Sequence, residues 1–153
     1  MRHTALDAIT ELMLETFRLN GRLLAAGDVL VAGIGLTSAR WQVLGAIALN
    51  APALPVAHIA RNMGLTRQAV QRTVNEMAAE GLVRFAPNPH HRRAKLVELT
   101  PQGEAAYAGA IRRHRPWATN LARGLSVRQL DAAHAVLRRI REQLEAAAET
   151  DDA

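Results

Sequence analysis

The most constraining feature of this sequence is a very short connection between two predicted helices near its centre. The first helix, over residues 56–62, should end at Gly64, because glycine accepts the left-handed conformation that closes many helices. The second should begin at Thr66, a favourable N-cap, with Leu65 and Val70 in the positions of a hydrophobic staple. The apolar stripe of this second helix consists of Val70, Val74 and Met77. Two helices joined by about three residues have the spacing of a helix-turn-helix.

The residues that follow predict a β-hairpin with a basic tip. Two apolar segments, 82–85 and 95–99, are typical of strands, and they enclose a proline-rich stretch that is longer than a tight turn. The tip of this hairpin carries the pair Arg92 and Arg93. A hairpin placed directly after a helix-turn-helix is a wing, so the centre of the chain is predicted to be a winged helix-turn-helix.

Two helices are predicted before this centre. The first covers residues 6–24, where apolar residues recur every three to four positions. The second begins after the N-cap Thr37 and runs to about Leu49. The breaks that follow the two helices are assigned to the loop glycines Gly27, Gly33 and Gly35 and to the segment Asn50, Ala51 and Pro52.

Two more helices are predicted after the wing. The first starts with Thr100 and Pro101 and should end at Arg115 or kink there, because Pro116 has no amide hydrogen. The last begins with the capping box of Ser126 and Gln129. Its apolar residues fall on a and d positions of a heptad: Leu130, Ala133, Leu137, Ile140, Leu144 and Ala147. Such a seam needs a partner helix, which is either the chain's own first helix or a helix of a second copy. The candidate dimerisation residues are Ile9 and Met13 of the first helix and Leu130, Leu137, Ile140 and Leu144 of the last.

Composition places this arrangement in one mainly α domain of 153 residues. Because the chain has no cysteine, a disulfide framework, thiolate catalysis and a cysteine-based zinc site are excluded. Asp7 and Glu11 interrupt the N-terminal apolar pattern, unlike a signal peptide, and the longest apolar run, Val29–Leu36, is too short for a membrane span. We therefore expect a soluble cytoplasmic protein with no membrane partner.

No metal, cofactor or catalytic site is expected. The six histidines include no pair spaced for metal binding on one helix. The sequence also contains neither a glycine-rich phosphate loop nor the nucleophile elbow of the α/β-hydrolases. An enzyme is therefore not predicted.

The positive charge is concentrated in the centre. Of the net charge of +5, residues 56–99 contribute seven Arg or Lys minus three Glu, which is +4. A localised basic face suggests a polyanionic partner, whereas an ordinary solvated surface would also carry such charge. Charge alone does not decide between these two interpretations.

A helix-turn-helix inserts the amino-terminal half of its second helix into the major groove of double-stranded DNA. Arginine there can pair with guanine and glutamine with adenine. The candidate DNA-binding residues of this helix are Thr66, Arg67, Gln68, Gln71, Arg72 and Asn75. Arg92 and Arg93 suit the negative potential of a narrow minor groove, and Arg84 and Lys95 suit neighbouring phosphates.

Three stretches resemble the MarR-type transcriptional regulators. These stretches are Leu65-Thr66-Arg67 at the start of the recognition helix, Gly81-Leu82-Val83 at its end, and the segment 92–103 that closes the wing. The resemblance implies an obligate homodimer, with residues 1–35 and 101–153 as dimerisation helices and residues 36–100 as the DNA-binding region. It also implies a pseudo-palindromic operator and, in many members, release of DNA by a small aromatic or phenolic effector. We expect a repressor, because no activation surface is visible.

The wing departs from this family at one position. The family usually has an acidic residue just before the double arginine, where it orients an arginine, and this chain has His91. Glu98 could substitute for the missing acid, or histidine could add a DNA contact of its own. Minor-groove insertion of the wing is therefore an open question at this stage.

The effector cleft that the family implies has four candidate lining residues: Arg18, Arg40, Trp41 and His114. For Trp41, a core position that staples its own helix is the alternative interpretation. A different class of function also remains open. In it the basic face of the winged helix binds an acidic protein and the heptad helix serves as an assembly surface.

Overall fold

The described residues, 4–50 and 53–151, form six helices and three short strands in this computed structural model. In chain order the elements are α1 Ala5–Ala32, α2 Ser38–Leu49, β1 Ala53–Pro55, α3 Val56–Met63, α4 Arg67–Ala79, β2 Val83–Ala86, β3 Leu96–Leu99, α5 Pro101–Leu121 and α6 Val127–Asp151. The predicted fold class, a mainly α winged helix-turn-helix with a hairpin wing and long terminal helices, is confirmed. None of the described helices is both long and apolar enough to span a lipid bilayer.

The helix ends follow the predicted caps. Gly64 closes α3 with φ 63°, and the hydroxyl of Thr66 accepts a 3.2 Å hydrogen bond from the amide of Ala69 at the start of α4. The Ser126 hydroxyl and the Gln129 amide oxygen cap α6 as a reciprocal box. Local sequence chemistry therefore determines where these helices begin and end.

The chain divides into two compact units, Met1–His114 and Arg115–Ala153. The first contains one apolar core, to which α2, α3, α4 and the sheet all contribute. Its most completely buried side chains are Val31, Val43, Leu44, Ile47, Ile59, Val70, Val74, Met77, Val83 and Val97. Because Val70, Val74 and Met77 anchor α4 in this core, the opposite face of α4 points to solvent.

The sheet has three strands rather than the two of the predicted hairpin. β3 lies in the middle and pairs antiparallel with β2 on one side and β1 on the other, so that Val97 faces both Phe85 and Leu54. β1 has only three residues, and a strand this short leaves no periodic signal in the sequence. Asn50 ends α2 as predicted, whereas Ala51 and Pro52 lie outside the described residues.

The prediction that Gly27 breaks the first helix is wrong. α1 continues through Gly27 to Ala32, and the loop begins only at Gly33. Gly27 is buried where α1 crosses α2, and a Cβ at this position would clash with the Ser38 hydroxyl. This glycine therefore permits close helix packing and does not end the helix.

Of the two outcomes expected at Pro116, an end or a kink, the helix end at Arg115 is wrong, because α5 continues through Pro116 to Leu121. A proline inside a helix removes one backbone hydrogen bond and crowds the preceding turn, at a cost of about 3 kcal/mol. Helical hydrogen bonding resumes after it, and the Thr119 hydroxyl donates a 2.9 Å bond to the carbonyl of Arg115. A helix of 21 residues retains its other bonds when one is lost.

Candidate nucleic-acid interface

The exposed face of α4 carries the six candidate residues of the predicted recognition helix. Five of them are exposed and Gln71 is partly buried. Two contacts organise the middle of this face: the Gln71 side-chain amide donates to Asn75 Oδ1 at 2.9 Å, and Arg72 Nε lies 3.2 Å from Glu76 Oε1. We call these six residues, Thr66, Arg67, Gln68, Gln71, Arg72 and Asn75, the polar face of α4.

An open groove of about 890 Å³ runs between the polar face of α4 and the wing. Arg67, Gln71 and Asn75 line it from α4, and Arg93 and Lys95 line it from the wing. The groove therefore gathers arginine, lysine and amide side chains from separate parts of the sequence. Guanidinium, ammonium and amide groups are the donors that bind phosphates and base edges in DNA. We call it the α4–wing groove.

Two groove residues on α3 were not among the sequence-predicted site residues. His58 and Arg61 also line the α4–wing groove. They are three residues apart, so they share one side of a short helix whose other side buries Ile59 and Ala60. Their spacing on the polar side of the first helix of the pair was the signal that could have identified them.

The strands of the wing place Arg84 beside Glu98. The two residues face each other in the β2–β3 register, and Arg84 Nε lies 2.8 Å from Glu98 Oε2. Glu98 is therefore occupied by Arg84, and within the described part of the chain it forms no ion pair with Arg92 or Arg93. Glu98 therefore does not take the role of the acidic residue that the family usually has before the double arginine.

Asn88 organises the loop of the wing instead. Its side-chain amide donates to the carbonyl of Ala94 at 2.8 Å, and its Oδ1 accepts from the amide of His90 at 3.0 Å. Its backbone carbonyl accepts from the amide of His91 at 3.3 Å. Both Arg92 and Arg93 are exposed within this loop. The wing is thus ordered by a neutral asparagine, whose position before a proline is typical of a turn.

The four candidate effector residues do not have a common environment. Trp41 and His114 meet edge to face, with ring centroids 5.5 Å apart, and Trp41 also packs against the core. Arg18 lies on α1, where it is exposed and pairs with Glu15 at 3.3 Å. It lines a shallow groove to which Trp41, His114 and Arg40 do not contribute.

Arg40 is engaged by an acidic residue of α4. Its two terminal nitrogens lie 2.6 Å from the two carboxylate oxygens of Glu80, forming a bidentate pair between α2 and the end of α4. The hydrogen bonds to the Arg40 guanidinium lower the pKa of Glu80, and the bonds to Glu80 raise the pKa of Arg40. The guanidinium of Arg40 is therefore already paired with a carboxylate of the same chain.

The predicted dimerisation residues lie on exposed apolar stripes. On α1, Ile9 and Met13 are exposed, Met13 to 46%. On α6, Leu130, Leu137 and Leu144 are exposed, Leu144 to 66%, and Ile140 is partly buried. Among the described residues no three His, Asp or Glu side chains are grouped closely enough to hold a metal ion, and His3 lies outside them.

Two relatives of known sequence illustrate the similarity of this chain to other proteins. An uncharacterised protein of Mycobacterium tuberculosis is 36% identical over 134 residues, which cover 88% of this chain and 92% of that protein. The transcriptional activatory protein BadR of Rhodopseudomonas palustris is 28% identical over 100 residues, 64% of this chain and 57% of BadR.

Solved structures share the fold. The regulator MosR of M. tuberculosis, in complex with DNA, has a TM-score of 0.74 at 24% identity, covering 88% of this chain and 96% of MosR. CouR of Rhodococcus jostii RHA1, bound to p-coumaroyl-CoA, has a TM-score of 0.76 at 24% identity, covering 92% of this chain and 96% of CouR. The sequence model of the MarR family matches residues 34–94, which include the whole helix-turn-helix and the wing loop. This chain therefore belongs to the MarR family and has the winged helix-turn-helix fold of the MarR-family transcription regulators of known structure.

Proposed function

We propose that this chain acts as a homodimer that binds a pseudo-palindromic operator and represses transcription until a small aromatic effector releases it. The observation that carries the DNA-binding part is the α4–wing groove, where basic and amide side chains of α3, α4 and the wing meet on one open surface. Because the core fixes the other side of α4, this surface is preorganised for a rigid duplex. As a regulator of transcription the protein would act in the cytoplasm.

The residues of the groove divide by the part of DNA that each would contact. Arg67, Gln68, Gln71 and Arg72 lie toward the amino-terminal half of α4, which is the half that enters the major groove in a helix-turn-helix. Arg92 and Arg93 at the wing tip are assigned to the minor groove, and Arg84 and Lys95 to phosphates. Thr66 and Asn75 complete the contact surface at its two ends.

The proposed dimer rests on exposed apolar surface. Residues 1–35 and 101–153 are assigned to dimerisation, because α1 and α6 carry large apolar side chains in contact with solvent, and residues 36–100 are assigned to DNA binding. On α1 these side chains are Leu6, Ile9, Met13, Leu14, Phe17, Leu19, Leu23, Leu24 and Val29, and on α6 they are Val127, Leu130, Val136, Leu137 and Leu144. Apolar stripes of this length are typical of helices that pack against a second chain. Light scattering should give a mass near twice 16.6 kDa, and a monomer at micromolar concentration would contradict the assignment.

A relative suggests the class of effector, and a reporter experiment tests the direction of regulation. CouR binds p-coumaroyl-CoA, an aromatic thioester, and the edge-to-face pair of Trp41 and His114 offers aromatic surface in this chain. Repression is carried over from the sequence-based expectation, and because BadR is an activatory protein, activation is the alternative direction. A reporter gene behind the operator decides the direction: its transcription should rise when the gene for this chain is deleted, and a fall would identify an activator.

The test of DNA binding uses operator fragments selected from the source genome and a random duplex of equal length. Fluorescence anisotropy over a range of salt concentrations should show affinity for the random duplex that falls steeply with salt, because each phosphate contact releases counterions. A protein that binds an acidic partner protein instead should bind little duplex at physiological salt. This second outcome would replace the proposed function with an interaction module.

Substitutions on the two sides of the α4–wing groove then test which side chains contact DNA. Arg72→Ala should weaken operator binding and reduce the discrimination between operator variants, by about 1–3 kcal/mol at the affected base pair. Arg93→Ala should weaken all sequences more evenly, because the negative potential of the minor groove attracts an arginine without demanding a particular base edge. Arg18→Ala is the matched control, because it removes the same charge from an exposed, paired arginine that does not line the α4–wing groove. If both groove variants give the same footprint as the wild type, the assigned surface is wrong.

A further inference from the structure

A chain of alternating charges runs along α4 from its end to its polar face. Glu80 forms the bidentate pair with Arg40, whose Nη2 also lies 3.9 Å from Glu76 Oε2. The other oxygen of Glu76 lies 3.2 Å from Arg72 Nε. Four side chains are thus linked in the order Glu80, Arg40, Glu76, Arg72, and the last belongs to the proposed DNA-contacting surface.

The two arginines of this chain differ in freedom. The side chain of Arg40 is only 17% exposed, and it lies in the first turn of α2, next to Trp41, which packs against the core. The side chain of Arg72 is 85% exposed and extends from the middle of α4. Arg40 is therefore the fixed arginine of this series of ion pairs, and Arg72 is the arginine whose side chain can move to a new partner.

Glu76 stands among the DNA-contacting side chains. It lines one shallow groove on α4 together with five members of the polar face: Arg67, Gln68, Gln71, Arg72 and Asn75. A carboxylate at this place repels a phosphate backbone and competes with it for Arg72. Arg40 reduces both the repulsion and the competition, because its positive charge lies next to the other carboxylate oxygen of Glu76 and partly offsets the negative charge of that residue.

We propose that Glu76 is a specificity-determining residue, which favours the operator over other DNA at the polar face of α4. Arg40 is the positioning residue that limits how strongly Glu76 opposes DNA binding. A phosphate that approaches Arg72 brings a second negative charge next to Glu76 and is repelled by it, so non-specific contacts are suppressed. The edge of a guanine is uncharged and offers Arg72 two acceptors, so its approach does not meet this repulsion. Arg40 keeps Glu76 partly neutralised, so that the competition does not also prevent operator binding.

This inference rests on the proposed function, and the experiment separates the two. The full chain is titrated with the operator fragment and the random duplex at several salt concentrations, as wild type and as Glu76→Gln. The variant should bind the random duplex about three- to tenfold more tightly, with a log–log salt slope steeper by about 0.9, because Arg72 gains one phosphate contact. Operator affinity should change less, so the ratio of the two affinities should fall.

Two further variants test the roles of the charges. Glu15→Gln changes the net charge equally at the exposed partner of Arg18. Because Glu15 belongs to the segment assigned to dimerisation, light scattering checks its mass first, and at the same mass as the wild type the affinity ratio should be unchanged. Arg40→Gln should weaken binding to both duplexes about threefold, and most of this loss should disappear when it is combined with Glu76→Gln. A merely structural role of Arg40 would lower stability without this dependence on Glu76.

Each outcome has one meaning. Equal effects of Glu76→Gln and Glu15→Gln would overturn the inference, since only overall charge would then matter. Loss of preference in Glu76→Gln at an operator base other than the one that Arg72→Ala affects would also overturn it, because Glu76 would then read that base directly. If Arg72→Ala binds both duplexes like the wild type, the proposed reading surface fails and this inference fails with it.

Discussion

Replacement of Gly27 by alanine tests the packing that sets the position of α2. A Cβ at residue 27 would clash with Ser38 Oγ but would lie 3.4 Å from Ser38 Cβ, an ordinary contact distance. The Ser38 hydroxyl donates a 2.6 Å hydrogen bond to the carbonyl of Leu24, so it cannot turn away without losing this bond. Gly27→Ala and Ser38→Ala should therefore be strongly coupled.

The magnitudes follow from three terms. Alanine in place of a mid-helix glycine stabilises the helix by about 1 kcal/mol, whereas overpacking costs about 1–3 kcal/mol, so Gly27→Ala alone should destabilise the fold by about 1 kcal/mol. Ser38→Ala alone should cost about 1 kcal/mol, the net value of one hydrogen bond. In the double variant the clash is absent and the gain in helix propensity offsets the lost bond, so its stability should be close to that of the wild type. The coupling is then about 2 kcal/mol, within the range found for residues in contact.

Urea denaturation followed by far-ultraviolet circular dichroism measures all three variants. The chain concentration has to be fixed, because the stability of a dimer depends on it. Gly21→Ala is the control in the same helix: a Cβ there would meet no atom within 4 Å, so this variant should be more stable than the wild type by about 1 kcal/mol. If the effects of Gly27→Ala and Ser38→Ala simply add, the close approach of α1 and α2 at this point is refuted.

Three further perturbations test other parts of the fold. Since the pKa of Glu80 is lowered in the folded chain, its pairing with Arg40 contributes stability above the ordinary glutamate pKa of about 4.3 and loses it as the pH falls through the lowered value. The Tm difference between wild type and Glu80→Gln should therefore shrink on acidification, and a constant difference would contradict the pairing. Asn88→Ala should speed amide hydrogen exchange at His90 and weaken operator binding several-fold, because it removes two hydrogen bonds of about 1 kcal/mol each; unchanged exchange would show that Asn88 does not order the wing. Pro116→Ala should raise stability to urea by about 1–3 kcal/mol, and a loss of stability would mean that the proline is needed where it stands.

The sequence predicted the features of the fold that depend on neighbouring residues. Caps at Thr66 and Ser126 are local chemistry, and the buried stripe of α4 follows from its helical period. The errors came from residues whose effect depends on distant parts of the chain. Position 27 is a glycine because Ser38 lies against it, and β1 is a strand because β3 offers a free edge. A glycine that breaks a helix and a glycine that admits a neighbouring helix have the same letter in the sequence.

The charged residues of the candidate site show the same contrast between features that neighbouring residues determine and features that distant residues determine. The exposed positions of α4 could be predicted, because burial of one helical face determines the other. The partner of Arg40 could not, since Glu80 is forty residues away and no periodicity connects α2 to the end of α4. By sequence Arg40 is a candidate for an effector cleft, whereas the structure pairs it with a carboxylate of its own chain. The assignment of a charged residue to a ligand is thus better supported once the intramolecular partners of that residue are known. By that criterion Arg93, which lines the α4–wing groove and forms no ion pair within the described residues, is a stronger DNA-binding candidate than Arg84, which Glu98 already engages.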